Sequence, residues 1–454
     1  MKAKYIILAG FLFLTFSGFS QQKKSGQWQN LFNGKNLAGW KQLNGQAKYE
    51  VKNNEIIGTT VSGEPNSFLV TDKEYGDFIL ELELKLDAPM NSGIQFRSLS
   101  TPNYQNGRVH GYQMEVDPSD RSWSGGIYDE ARRGWLYSLE FNPEAKKAFK
   151  KTDWNTYRLE CIGTTIRTWV NGIPTAHLED AETAKGFIAL QVHSIGKNDK
   201  AGSQIRWRNI RIQTENLKPA PLTSIFVVNT LPNRVSEQEQ KNGYVLLWDG
   251  KTTQGWRGAY KKSFPQQGWE LKDGELRVLK SNGSESTNGG DIVTQNEYGA
   301  FELQFDFKLT EGANSGVKYF VTESENNKGS AIGLEYQVLD DEKHPDAKLG
   351  AAGNRTIASL YDLIPSLKTS GSRKKIGEWN RGMVRVLPDG SVEHWLNGYK
   401  VTEYKRGTPI YNVLVARSKY KDYPNFGMAP KGRILLQDHG DLVSFRSIKI
   451  KELK

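Results

Sequence analysis

Two stretches of the chain alternate regularly between apolar and polar residues. One is Phe78–Leu86 (FILELELKL) and the other is Phe301–Leu309 (FELQFDFKL). A period of two puts alternate side chains on opposite faces of a strand, so both stretches are predicted to be β-strands. Other strand-like runs are separated by Gly-bearing turns, and no long amphipathic helix is visible. The pattern therefore predicts an all-β protein.

The motifs of the first half return in the same order in the second half. For example, LFNGKNLAGW at 31–40 becomes LWDGKTTQGW at 247–256. The other paired segments are 74–76 and 297–299, 91–93 and 314–316, 154–155 and 379–380, 169–172 and 395–398, and 186–193 and 432–439. A shared order over so long a stretch indicates domain duplication. Each copy is predicted to be an antiparallel two-sheet sandwich.

The repeat also sets the predicted organisation of the chain. We expect a first sandwich at 27–214, a linker at 215–242 and a second sandwich at 243–454. In each sandwich one strand runs into Asn-Gly, a strong signal for a tight hairpin, at Asn171-Gly172 and Asn397-Gly398. The linker contains the apolar run Ile225–Val228, which is expected to pack on one domain.

The N-terminus has the pattern of a secretory signal peptide at residues 1–21. Lys2 and Lys4 precede an apolar stretch at 5–16, and small residues follow at 17–20. The apolar stretch is short for a membrane span, although an N-terminal anchor is the alternative. We expect an exported bacterial protein, periplasmic or extracellular, with no membrane span after signal removal.

The amino-acid composition and the missing motifs exclude several classes of protein and of binding site. The 12 Trp, 19 Tyr and 19 Phe among 454 residues supply sizeable cores and exclude wholesale disorder. Cys161 is the single cysteine, which excludes intramolecular disulfides and cysteine-based metal sites. The net charge of +10 is modest for this length, and no nucleic-acid motif accompanies it, so no nucleic-acid partner is expected. Phosphate-cradling and dinucleotide-binding motifs are absent from the sequence.

Polar residues recur at alternate positions of one predicted strand in each copy. In the second copy Glu335 and Gln337 share a face, and Asp340 lies near the strand end. The residues in the first copy are Gln113, Glu115 and Asp117. Such a row either lines a polar cleft or forms an outer, solvated face.

A second strand and a loop add imidazole and phenol groups. Gln437 and His439 recur as Gln191 and His193, and Tyr361 recurs as Tyr128. In the second copy His344 follows the polar strand. These groups suggest carboxylate and imidazole chemistry, with a divalent metal on Asp340, His344 and His439 as an open possibility. Trp123, Trp135 and Tyr420 are expected at the surface, where they could stack on sugar rings.

Several of these motifs resemble the 3-keto-disaccharide hydrolase family. They are FNGKxLxGW, Asn-Ser-Gly after a long strand, GxExQxxDD followed by His344, and the ending at 432–448. The resemblance covers about 28–213 and 243–453 and implies a concanavalin A-like jelly-roll fold. The first copy departs from the pattern because Gln113-x-Glu115 replaces Glu-x-Gln and because His193 lacks the flanking Asp and Gly.

The resemblance implies an enzyme that cleaves the glycosidic bond of 3-keto-glycosides or 3-keto-disaccharides. A base removes the acidified C2 proton, the enolate expels the aglycone, and water adds back. A separate oxidoreductase would supply the 3-keto sugar. The alternatives are a non-catalytic carbohydrate-binding protein and a conventional glycoside hydrolase.

We assign the site residues by role. The expected catalytic residues are Glu335, Asp340 and His439. The expected substrate-binding residues are Gln337, His344, Tyr361 and Gln437. The first-copy equivalents are Gln113, Glu115, Asp117, Tyr128 and His193. The pKa of the base must lie near neutrality. The developing enolate also needs an electrophilic partner, and whether a divalent metal ion fills that role stays open.

Overall fold

The computed structural model of the protein describes residues 27–282, 284–324, 330–369, 371–423 and 425–454. The predicted signal peptide lies outside the described residues. Strands dominate the rest of the chain, and each half forms two sheets, which confirms the predicted all-β class and its tandem concanavalin A-like jelly-roll sandwiches. In the described part of the chain, no helix has the length and apolar character needed to cross a membrane.

The first half contains strands β1 to β16. They are β1 (Gln29–Asn30), β2 (Trp40–Asn44), β3 (Lys48–Lys52), β4 (Glu55–Thr59), β5 (Ser67–Tyr75), β6 (Phe78–Leu86), β7 (Ser92–Leu99), β8 (His110–Val116), β9 (Ile127–Glu130), β10 (Gly134–Tyr137), β11 (Asn155–Ile162), β12 (Thr165–Val170), β13 (Ile173–Glu179), β14 (Gly186–Val192), β15 (Gln204–Gln213) and β16 (Val228–Asn229). Short 3₁₀ helices cover Leu139–Phe141 and Pro143–Lys147.

The second half contains β17 to β29 and both α-helices. The elements are α1 (Glu237–Lys241), β17 (Val245–Leu246), β18 (Trp256–Gly258), β19 (Trp269–Lys272), β20 (Glu275–Val278), β21 (Ile292–Thr294), β22 (Phe301–Leu309), β23 (Asn314–Thr322), β24 (Ile332–Leu339), β25 (Trp379–Val386), β26 (Ser391–Leu396), β27 (Tyr399–Lys405), α2 (Pro409–Ala416), β28 (Arg433–Leu436) and β29 (Val443–Glu452). A 3₁₀ helix covers Pro345–Lys348.

Each sandwich pairs a larger sheet with a smaller one. In the first, the order β16-β13-β12-β11-β6-β15-β4-β3, with β1 on β15, faces the order β10-β9-β8-β7-β14-β5-β2. In the second, β19-β20-β29-β22-β25-β26-β27, with β17 on β29, faces β18-β21-β28-β23-β24. Apolar side chains from both sheets fill each core. The smaller sheets carry the candidate site residues on their other faces.

The two predicted hairpins are confirmed. Asn171 and Gly172 join β12 to β13 with φ values of 50° and 79°, and Asn397 and Gly398 join β26 to β27 with 49° and 88°. Left-handed backbone at both central positions matches the right-handed twist of the strands, which is why Asn-Gly is favoured there.

The segment between the copies is ordered and joins them. Phe226 stacks on Phe141 of the first half, with ring centroids 4.5 Å apart, and Phe141 stacks on Trp395 of the second at 5.5 Å. Helix α1 begins with a capping box between Ser236 and Glu239. The two sandwiches therefore share an aromatic interface.

Candidate functional site

The candidate site in the second sandwich starts at the polar row of β24. Leu334, Tyr336 and Val338 belong to the core, so Glu335 and Gln337 lie on the sheet's other face. That face is covered, since Glu335 is 3% exposed and Gln337 is 1% exposed. The row is thus buried polar surface rather than a solvated exterior.

Gly316 of the Asn-Ser-Gly motif makes room for the Glu335 carboxyl group. It lies on β23 opposite Gln337, diagonal to Glu335. A Cβ atom added at this glycine would lie 2.2 Å from Oε1 of Glu335. Only glycine allows the carboxyl group to lie so close to the neighbouring strand, which explains the motif in physical terms.

Lys318 is the nearest cation to this carboxyl group. Its Nζ is 3.9 Å from Oε2 of Glu335 and 3.5 Å from Oε1 of Glu285. Burial raises the pKa of Glu335 to about 7, although the nearby Lys318 and Lys419 oppose the rise. Burial would also lower the pKa of Lys318, but Glu335, Asp291 and Glu285 outweigh it, so the ammonium stays charged. The pair places a proton-exchanging carboxyl group beside a fixed positive charge.

Sequence reasoning predicted Glu335 but missed Lys318 and its other acidic partners, Glu285 and Asp291. The Lys318 ammonium donates to the Ser330 hydroxyl, which donates in turn to Oδ2 of Asp291 at 2.6 Å. A lysine within the mostly apolar strand sequence GVKYFV is the signal that could have revealed it, because buried lysines are rarely left unpaired.

Three buried polar atoms beside this centre lack a partner within the described residues. They are Oε1 of Gln437, Oδ1 of Asn314 and Nδ1 of His439. Gln437 is held next to Gly316, whose carbonyl accepts its backbone N–H at 3.0 Å, and its Nε2 donates to Glu285 at 2.7 Å. Buried polar groups normally have partners, so this cluster indicates a place for ligand or ordered water.

His344, His439 and Asp441 form a group with metal-binding potential, called here the His344 cluster. One ligand atom from each lies within 4.8 Å of the others. Nδ1 of His344 accepts the backbone N–H of Asp346 at 3.2 Å, which leaves Nε2 for a ligand. Burial, and then the nearby His439, lower the pKa of His344, which favours the neutral imidazole that metals require.

Asp340 is not part of the His344 cluster. Its Oδ2 accepts the backbone N–H of Gly312 at 2.8 Å, and its Oδ1 accepts those of Glu342 and Lys343 at 3.0 and 3.3 Å. Burial would raise the pKa of Asp340, but these amides lower it overall. The carboxylate that we expected to be catalytic is instead engaged in holding the loop after β24, and Asp441 takes its expected place beside the two histidines.

Tyr361 lies over the same centre but has a fixed partner. Its hydroxyl donates to Oδ2 of Asp346 at 2.8 Å, and the Lys419 ammonium lies 4.3 Å from its ring centroid. Burial, and then the nearby Glu335, raise its pKa. Tyr361 thus lies beside Glu335, whose backbone carbonyl accepts the Tyr361 N–H at 3.0 Å.

The expected exposure of two aromatic residues is wrong. Trp123 and Tyr420 are each 4% exposed. Tyr420 stacks on Phe426 at 3.9 Å, and Trp123 packs edge-on against Trp135 at 4.7 Å. Both rings therefore serve packing, and neither presents a free face to a sugar.

Strand register defines the equivalent positions in the first copy. Gly93 pairs with Glu115 as Gly316 pairs with Gln337, so Gln113 takes the place of Glu335. By the same register the place of Lys318 is taken by Gln95. A Cβ atom on Gly93 would lie 2.3 Å from Cδ of Gln113, which repeats the close approach seen in the second copy.

An amide network thus replaces the charged pair in the first copy. Gln95 donates to Gln113 at 2.6 Å, and Gln113 donates to Oε2 of Glu115 at 3.2 Å. Oε1 of Glu115 accepts from Asn91 at 2.6 Å. Burial raises the pKa of Glu115 to about 7, as for Glu335, but both of its oxygens are occupied by amides.

The remaining first-copy candidates make local contacts. Asp117 accepts from Nε of Arg121 at 2.8 Å, Nδ1 of His193 lies 2.8 Å from the Ser194 carbonyl oxygen, and the ring of Tyr128 packs edge-on against Trp135 at 5.3 Å. The structure does not give this copy a counterpart of the Lys318–Glu335 pair.

Comparison with known proteins agrees with the motifs. A family described as the 3-keto-alpha-glucoside-1,2-lyase-like domain matches residues 27–213 and 243–451. A 3-keto-disaccharide hydrolase of Bacteroides thetaiotaomicron is 37% identical over 233 residues, covering 47% of this chain and 79% of that protein.

Two solved structures show the extent of the structural likeness. A protein of Parabacteroides distasonis, described as a glycosyl hydrolase, aligns with a TM-score of 0.43 at 30% identity, over 49% of this chain and 100% of that one. The carbohydrate-binding module CBM66 of Bacillus subtilis aligns with a TM-score of 0.30 at 14% identity, over 38% and 95%. The family match extends over both halves and confirms the resemblance, so the chain belongs to the 3-keto-alpha-glucoside-1,2-lyase-like family.

Proposed function

We propose that the second sandwich cleaves the glycosidic bond of 3-keto-glycosides. The observation that carries the proposal is Glu335, a buried carboxyl group with a pKa of about 7 beside the Lys318 ammonium. A general base works best when its pKa lies near the working pH. The substrate class is supported by the relative from B. thetaiotaomicron, a 3-keto-disaccharide hydrolase.

The proposed reaction begins with proton transfer from C2 of the sugar to Glu335. The C3 carbonyl acidifies this proton, and the electron pair moves onto the carbonyl oxygen to form an enolate. Collapse of the enolate forms a C1–C2 double bond and breaks the bond from C1 to the aglycone oxygen, which takes up a proton. Addition of water across the double bond completes the hydrolytic outcome.

The developing enolate needs a positive or hydrogen-bonding partner. The His344 cluster supplies candidate groups, because its imidazoles can donate a hydrogen bond or hold a cation. The unpaired oxygens of Gln437 and Asn314 only accept, so they suit hydroxyl groups of the sugar rather than the enolate. Tyr361 contributes less to this step because its hydroxyl already donates to Asp346. We therefore place substrate between Glu335 and the His344 cluster.

A conventional retaining glycosidase is less well supported. It needs two carboxyl groups about 5–5.5 Å apart, one acting as acid and one as nucleophile. The carboxylates nearest Lys318 are already engaged: Glu285 accepts from Gln437, and Asp291 accepts from Ser286, Ser330 and the Asp438 backbone. Glu335 therefore lacks a free carboxylate partner among these residues.

The substrate class is tested with matched chromogenic glycosides. We expect the protein to release nitrophenol from a nitrophenyl 3-keto-glucoside and to leave the unoxidised glucoside intact, because only the ketone acidifies C2. Release followed by absorbance, with mass spectrometry of the sugar, separates the elimination product from the hydrated one. Equal release from both glycosides would refute the C2 mechanism.

We expect kcat/KM to rise with pH through an apparent pKa of about 7, because Glu335 must lose its proton to act as base. Lys318 lowers this pKa, so Lys318→Met should shift the rising limb to higher pH. Lys419, Glu285 and Asp291 also act on the carboxyl group and remain in that variant. Profiles of kcat/KM from pH 5 to 9 for both proteins measure the shift, and an unmoved limb would assign the titration to another group.

Two further parts of the proposal concern the location of the protein and the source of its substrate. We propose that the leader at residues 1–21 directs export to the periplasm or exterior. Because a glycoside carries a hydroxyl at C3, an oxidoreductase must act before this enzyme and produce the ketone.

A further inference from the structure

A cavity of about 470 Å³ opens on the first sandwich, and residues from both sides of its smaller sheet line it. Its lining includes Asn66, Phe68, Asn106, Arg108, Glu130 and Ser194. Phe68 lies on β5, and Glu130 ends β9, two residues after Tyr128 and on the same face. The cavity therefore adjoins the face that corresponds to the candidate site of the second copy.

Gln191 is the unexplained residue next to this cavity. It is fully buried on β14, where its register partners are Phe68 on one side and Gly93 on the other. Neither its Nε2 nor its Oε1 has a hydrogen-bond partner within the described residues. A buried amide with both groups unpaired is unusual, and the two groups together match a hydroxyl, which donates one hydrogen bond and accepts others.

The face beside Gln191 has lost the charges of the second copy. Register places Phe68 where the second copy has Asp291. Gln95 and Gln113 replace Lys318 and Glu335. Three charged positions have thus become neutral, which removes the proposed base and its cation while keeping hydrogen-bonding groups. Glu115 stands where the second copy has Gln337, and amides hold both of its oxygens.

The neutral groups are held in place. Oε1 of Gln95 accepts from the Ser98 hydroxyl at 2.7 Å, and Gln95 donates to Gln113. At the cavity, Glu130 accepts from Asn66 at 3.4 Å and lies 3.5 Å from Arg108, whose side chain is 52% exposed. A rim that combines a guanidinium with amide groups suits a ligand rich in hydroxyl groups.

We propose that the first sandwich is a non-catalytic binding site for a neutral, unoxidised pyranoside, with Gln191 as the buried group that pairs with a sugar hydroxyl. The site retains the shape of the duplicated face but lacks the Lys318–Glu335 pair, and amides hold both oxygens of Glu115, so no free carboxylate is placed to remove a C2 proton. It would hold glycan on the same chain as the second sandwich. This inference stands apart from the proposed reaction, because binding requires neither Glu335 nor a ketone.

Calorimetric titration of the full chain tests the site. The probes are methyl β-D-glucopyranoside, maltose and cellobiose, none of which carries a ketone. We expect saturable binding of at least one probe, weakened at least tenfold in Gln191→Met. The thermal midpoint of this variant should not fall, because methionine has a similar volume and removes an unpaired buried amide.

Arg277→Ala is a control on the larger sheet of the second copy, outside the candidate sites, and Arg108→Ala probes the cavity rim. We expect Arg277→Ala to keep the wild-type affinity for the probe and Arg108→Ala to weaken it. Three results would overturn the inference: no saturable binding of any probe, unchanged affinity in Gln191→Met, or an equal loss of affinity in Arg277→Ala and Gln191→Met. Should Gln191→Met fail to fold, the comparison of Arg108→Ala with the wild type still decides the question.

Discussion

Glu335→Gln is expected to lower kcat/KM for a 3-keto-glucoside by about 10²- to 10⁴-fold, the usual contribution of a positioned general base. Glutamine keeps the shape of the side chain over Gly316 but cannot accept the C2 proton. The variant should fold normally, since it replaces a buried carboxyl group with a neutral group of equal size. Steady-state kinetics and thermal unfolding measure the two effects separately.

The duplication supplies a matched control for this substitution. Glu115→Gln makes the same change on the corresponding strand of the first copy, where both carboxyl oxygens are already bound by amides. We expect Glu115→Gln to retain turnover within about twofold. Full activity in Glu335→Gln would remove Glu335 from the mechanism, and an equal loss in both variants would make both copies catalytic.

Much of the fold follows from local sequence. The alternation of Phe78–Leu86 and Phe301–Leu309 predicts two central strands, and each lies between two partners in the larger sheet of its sandwich. The Asn-Gly pairs predict their hairpins because few residues adopt left-handed backbone at low cost. The repeat itself predicts two similar sandwiches, because the same motifs in the same order form matching strands that enclose similar cores.

The chemistry of the site depends on contacts that local sequence does not show. Lys318 and Glu335 lie on the paired strands β23 and β24, and Asp291 lies just before β21, which β28 separates from β23. Only the assembled sheet brings the three side chains together. The alternation of side chains along the strand predicts that Glu335 and Gln337 share a face. It does not predict which cation offsets the burial of the Glu335 carboxyl group.

Aspartates that follow polar strand motifs can also have different uses. Asp340 lies at the end of the polar strand, yet the backbone amides of the loop capture both of its oxygens. Asp441 follows the Gln-x-His motif, and it completes the His344 cluster. To decide which of these aspartates is free to join the His344 cluster, one must know where the backbone N–H groups of the loop point. The sequence pattern does not contain that information.

Thorough chelation is expected to lower turnover about 10²-fold or more, because a divalent ion held by His344, His439 and Asp441 would supply positive charge for the developing enolate. Two neutral imidazoles and a carboxylate are a common ligand set for a catalytic ion and leave positions open for substrate. Oδ2 of Asp441 also accepts the backbone N–H of Asn314 at 3.0 Å, which fixes its orientation.

The decisive comparison uses His344→Ala beside His193→Ala. We expect Mn²⁺ or Zn²⁺ to restore the chelated wild type and His193→Ala, but not His344→Ala, because the variant lacks one ligand of the cluster. Calorimetric titration of the chelated proteins with the metal alone gives a readout independent of turnover, and His344→Ala should lose that binding. If activity survives thorough chelation and no metal binds, the enolate must be stabilised by protein groups alone. The unpaired Nδ1 of His439 would then be the group to test, because in the tautomer that carries a proton there it can donate to the enolate oxygen.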